Sequence, residues 1–136
     1  MRTHIRRALP TLAFALLAMG CGNGNNNALA PQFQPEVVNT PNVAFSLQAT
    51  GLADVSDALS YTWSVSSGSI VIHPATTTTG GTLTLNIKDA TGAPIYNGPV
   101  PPTGDINPPS GTAGPWKVGV TLAQYSGTIN FALQMQ

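Results

Sequence analysis

The chain has 136 residues, of which 7% are charged, and its five Lys and Arg balance five Asp and Glu. That composition excludes a basic nucleic-acid binder, because such proteins draw their affinity from Lys and Arg that displace counterions from phosphates. A single cysteine excludes an internal disulfide framework, so the fold must hold without one.

Arg2, Arg6 and Arg7 precede an apolar run from Leu9 to Met19, which closes as Ala18-Met19-Gly20-Cys21. A positive segment followed by about 7–15 apolar residues is an export signal and is too short to span a bilayer. The succession resembles a bacterial lipoprotein signal, in which the cysteine becomes an acylated N-terminus carrying chains such as palmitate. It departs from that pattern in one place, since Ala18 stands where leucine is usual. Residues 1–20 are thus expected to be a signal peptide and Cys21 a lipidation site, the alternative being plain secretion with a free thiol. The Arg6-Arg7 pair lacks the flanking residues of a twin-arginine signal.

Loss of the signal would remove all three arginines. It leaves Lys88 and Lys117 against Glu36, Asp54, Asp57, Asp89 and Asp105, a net charge of −3. Attraction to anionic head groups is then no route to a membrane. The acyl chains on Cys21 would have to supply the affinity, at about 0.8 kcal/mol per buried methylene. By analogy with lipoprotein sorting, Gly22 rather than Asp after the cysteine directs the protein to the outer membrane if the bacterium is Gram-negative.

Residues 21–42 read as a flexible tether. Gly22-Asn23-Gly24-Asn25-Asn26-Asn27 has no apolar periodicity, and Pro31, Pro35 and Pro41 disfavour regular pairing in the stretch that follows.

Residues 43–136 alternate apolar and polar positions, the period of a strand with one buried face. Val43, Phe45, Leu47 and Ala49 form the first run, and Tyr61, Trp63 and Val65 the second. Ile70 to His73 stops at Pro74; Leu83, Leu85 and Ile87 follow, then Ile95 and Tyr96. Trp116, Val118, Val120 and Leu122 form the sixth run, and Ile129, Phe131, Leu133 and Met135 the last. No stretch has helical spacing, although Leu52 to Leu59 is long enough for a single turn. The pattern predicts an all-β domain, a single small antiparallel β-sandwich of about seven strands, Ig-like or jelly-roll-like, with both tryptophans facing inward.

Several of these segments carry a resemblance. Tyr61-Thr62-Trp63, Gly81-Thr82-Leu83-Thr84-Leu85, Asp89-Ala90-Thr91-Gly92-Ala93-Pro94-Ile95-Tyr96, Gly111-Thr112-Ala113-Gly114-Pro115-Trp116 and Ser126-Gly127-Thr128-Ile129-Asn130-Phe131 resemble small bacterial lipoproteins. The C-terminal half is also similar to pre-peptidase C-terminal domains, in which an Asp-x-x-Gly turn precedes a Gly-x-Trp strand. The resemblance spans roughly Ser60 to Gln136. It implies a β-sandwich and an accessory, non-catalytic role.

Candidate chemistry is sparse. Asp89 and Gly92 bracket a turn in which Asp bonds its own backbone; a calcium site would need six to eight oxygens, more than Asp89 and Asp105 supply. His73 stands at a strand end, and no serine lies in a Gly-x-Ser-x-Gly elbow. No catalytic residue, metal site or cofactor is assigned, and the chain is not expected to be an enzyme. The segment Pro99 to Pro115 holds six prolines and offers Asp105 and Asn107 as candidate partner contacts. It reads either as a stiff recognition loop or as a crossover between sheets. Two functions remain open: a lipid-anchored, non-catalytic envelope module that is structural or binds another envelope protein, or a small-ligand or glycan binder using Tyr96, Tyr125 or a tryptophan as a stacking platform.

Overall fold

The computed structural model describes residues 29–136. The expected export signal and Cys21 lie outside the described residues. Among those described, six antiparallel strands form one sheet: β1 (Glu36–Thr40), β2 (Ala44–Val65), β3 (Ile70–Pro74), β4 (Thr77–Lys88), β5 (Pro94–Pro99) and β6 (Gly114–Met135). The all-β expectation holds. The count is six rather than about seven because the first two apolar runs are one strand, β2, and the last two are one strand, β6, while β1 is additional.

β6 is the centre of the sheet. β2 pairs along one side of it, from Ala44 opposite Gln134 to Val65 opposite Gly114. β3 and β4 lie end to end along the other, Pro74 facing Phe131 and Thr77 facing Thr128, so both keep one register across the gap between them. Thr76 bridges that gap with its side chain. Its buried hydroxyl donates to the Asn130 carbonyl (2.9 Å) and accepts from the Asn130 N–H (3.2 Å).

The sheet folds over on itself. Phe45 and Tyr61 lie on the same strand sixteen residues apart, which in a straight strand is about 53 Å at ~3.3 Å per residue. Their ring centroids are 5.2 Å apart. The Asn42 N–H donates to the Ser64 carbonyl (2.8 Å), bringing the two ends of β2 together. The two halves of β2 and β6 thereby become the two layers of a sandwich, with corners marked by bulges.

Register shifts between Ala49 and Asp57 mark the corner in β2, and shifts between Thr78 and Thr82 mark it in β4. In β6 the buried positions pass from Trp116, Val118, Val120 and Leu122 to Tyr125, Ile129, Phe131 and Leu133, a change of parity at the bend. Two glycines make the corner feasible. Gly81 (φ 68°) leaves no room for a Cβ beside the Gln124 carbonyl, nor does Gly127 (φ 141°) beside the Thr77 carbonyl. The segment Leu52 to Leu59 is therefore the extended corner of β2 and not a helical turn.

The domain begins earlier than the alternation from Val43 indicates. Leu29 is buried in the core, Pro31–Phe33 form a 3-10 turn, and β1 pairs with β2 from Glu36 opposite Gln48 to Thr40 opposite Ala44. From Leu29 onward the expected tether belongs to the fold. Pro35 and Pro41 bound the strand and do not interrupt it.

Candidate functional site

Val100 to Ala113 connects β5 to β6 and is held internally at three places. Ile106 and Ile72 exchange backbone hydrogen bonds of 2.9 Å, so the loop covers the edge of β3 that faces away from β6. Gly111 N–H donates to the Gly68 carbonyl (2.8 Å). Thr112 N–H donates to Asp89 Oδ2 (2.9 Å), and the Thr112 carbonyl accepts from Trp116 Nε1 (2.7 Å).

Asp105 and Asn107 flank Ile106, and both side chains bond within the domain. His73 Nδ1 lies 2.8 Å from Asp105 Oδ1, an exposed pair that closes the loop onto the end of β3. Asn107 Oδ1 accepts from Gln136 Nε2 at 3.4 Å. These contacts hold the loop against β3 and the C-terminal residue of the described domain. His73, Asp105 and Asn107 come together, at a junction of β3, the loop and Gln136.

Asp89 is nearly buried. Its Oδ1 accepts from the Thr91 N–H (2.9 Å), the Thr91 hydroxyl (2.7 Å) and the Ala93 N–H (2.9 Å), and its Oδ2 from Thr112. The Thr112 N–H, followed by the Thr91 hydroxyl and the other amide donors, lowers its pKa to about 2. Gly92 completes the turn at φ 85°. Oδ1 thus closes the β4–β5 turn, and Oδ2 joins that turn to the loop leading into β6. Among the described residues no three His, Cys, Asp or Glu gather into a metal-binding group.

The aromatic side chains are mostly inside. Trp63, Trp116 and Tyr125 are fully buried. Trp63 Nε1 donates to the Thr40 carbonyl (3.1 Å), and the Tyr125 hydroxyl lies 3.0 Å from the Thr77 carbonyl and 3.2 Å from that of Thr128. Tyr96 is half-buried, and its hydroxyl donates to the Pro99 carbonyl (2.6 Å). Tyr61 is also half-buried, but its hydroxyl oxygen is enclosed without a hydrogen-bond partner. Burial, then the nearby Asp57 charge, raises the Tyr61 pKa.

The two outer strands of the sheet differ in what they offer. β5 starts at Pro94 and ends at Pro99, and proline has no N–H to donate to an added strand. β1 contains no proline, and all five of its residues are exposed. Val37 is 38% exposed and Val38 44%; Val43, in the turn that follows, is 55% exposed. These three are the exposed large hydrophobic residues among those described. Single exposed apolar residues are ordinary, but the unpaired N–H and C=O groups along an open strand edge form a template for pairing. No alternation long enough to mark β1 as a strand exists in the sequence, which is why the edge was not legible there.

No family model matches the chain, and no curated protein matches it.

Proposed function

We propose that this chain is a lipid-anchored protein of the bacterial cell envelope, whose folded domain is a non-catalytic interaction module. The observation that carries the reading is the β1 edge: an open strand with Val37 and Val38 exposed, on a domain whose other aromatic and polar groups are largely committed to internal contacts. Strand addition suits such a surface, since backbone hydrogen bonds give affinity and alternate side chains give selectivity. The Arg-flanked apolar run ending in Gly20-Cys21 supports the anchor, and Gly22 supports the outer membrane where the bacterium has one. The likeness to accessory pre-peptidase C-terminal domains supports the same non-catalytic role. Burial of Trp63, Trp116 and Tyr125 favours protein binding over sugar stacking.

Crosslinking in intact membranes followed by co-purification tests the reading, with Cys21→Ser as the unanchored control. The wild type should partition into detergent, carry acyl mass on its N-terminal peptide and retain specific envelope partners. A Val37→Lys/Val38→Lys variant should keep its melting temperature and lose those partners. An unacylated N-terminal peptide would remove the anchor from the proposal. Retention of all partners by the double lysine variant would remove the edge.

A further inference from the structure

We infer that the partner at the β1 edge is a second copy of this chain, the two β1 strands pairing antiparallel about a two-fold axis at Val38. The inference rests on the edge reading above and names its occupant. β1 is framed by Pro35 and Pro41, three residues to either side of Val38. Antiparallel pairing centred there sets Pro35 opposite Pro41 of the second copy and brings all five residues of each strand into register. A slip of several residues would draw a proline into the ladder, where it cannot donate.

The side chains suit the same register. Glu36, the only charged residue of the strand, falls opposite Thr40 of the second copy, so no like charges face each other across the ladder. Val38 meets Val38, and Val37 lies opposite Asn39. The pairing therefore places a β-branched pair at its centre and polar residues at its ends. The chain's own upstream run Gly22 to Asn27 contains only glycine and asparagine, with no apolar side chain to lay over the valines. An interface of five residues a side is smaller than a stable, freely diffusing dimer requires, which is about 1,200 Å² or more. It suits copies held at high effective concentration, which anchoring to one membrane or a concentrated solution of the chain would provide.

The test uses the full-length Cys21→Ser chain, in which an introduced cysteine is the sole thiol. Opposed side chains in an antiparallel pair have Cβ atoms about 4.5–5.5 Å apart. With a short thiol crosslinker, concentrated Val38→Cys protein should form a covalent dimer. Glu36→Cys alone and Thr40→Cys alone should not, because each would lie about 13 Å along the strand from its own copy, at ~3.3 Å per residue. A mixture of those two variants should crosslink. Failure of Val38→Cys to crosslink, or equal crosslinking by all three single variants, would overturn self-pairing. If Val38→Cys fails while Val37→Lys/Val38→Lys still loses its envelope partners, the edge binds a different protein. If the double lysine variant keeps every partner, the edge reading fails as well.

Discussion

Trp63 and Trp116 stand directly opposite each other on β2 and β6, and neither exposes any surface to solvent. Each also places its indole N–H on a backbone carbonyl outside its own strand's pairing, Trp63 on Thr40 and Trp116 on Thr112. The pair thus ties the β1–β2 turn and the end of the proline loop to one layer of the sandwich. Replacing either tryptophan by alanine should destabilise the domain by about 3–5 kcal/mol in denaturant unfolding, from lost burial and the cavity left behind. Acrylamide should quench the native tryptophan fluorescence far less than it quenches free indole.

Asp89 predicts an acid-sensitive stability. Its folded pKa of about 2 lies below the ordinary value of 3.8, so the folded state binds the proton more weakly than the unfolded chain. The resulting stabilisation is complete above about pH 4 and is lost as the pH falls through about 2. Thermal melts of the wild type should show a falling melting temperature across that window. Asp89→Asn should melt lower at neutral pH, because its amide cannot accept from all four donors, and should flatten this part of the pH profile.

Two tyrosine-to-phenylalanine changes should differ in their effect. The Tyr125 hydroxyl is buried against the Thr77 and Thr128 carbonyls, and its loss leaves acceptors unsatisfied at the corner of the sheet. Tyr125→Phe should cost about 1–3 kcal/mol. The enclosed Tyr61 hydroxyl has no partner to lose. Tyr61→Phe should leave the melting temperature unchanged or raise it.

The corner itself should depend on its glycines. Gly127→Ala and Gly81→Ala both place a Cβ against a backbone carbonyl at positive φ, and either should lower the melting temperature sharply. Gly92→Ala, where nothing lies within 4 Å, should show the milder effect of φ alone.

Shortening Pro101 to Pro109 should destabilise the domain. The excision removes the paired backbone bonds between Ile106 and Ile72 and the packing of Ile106 on the core. A drop in melting temperature would distinguish this internal role from that of a loop reserved for partners.

The inward faces of the long strands were legible because each buried position recurs at every second residue, as in Phe45, Leu47 and Ala49 or Trp116, Val118 and Val120. The corner was not. A glycine such as Gly81 or Gly127 leaves the same local trace at a corner of one continuous strand as at a hairpin. β1 has no local signature because all its residues are exposed, so burial imposes no alternation on Glu36 to Thr40. The Asp89 turn was visible in Asp-x-x-Gly, whereas its long-range tie to Thr112 has no local signature. The clustering of His73, Asp105 and Asn107 depends on the bridge from Ile106 to Ile72, which spacing alone does not reveal.

The position of β6 governs when the domain can form. β2, β3 and β4 all pair with the strand that comes last among the six, so during synthesis they wait without a partner while the β1–β2 and β4–β5 hairpins alone are available. Isolated hairpins are marginal in water. Closure of the sandwich is thereby deferred until residues 114–135 have emerged. That timing is the one a polypeptide needs if it is to be threaded through a membrane before it folds.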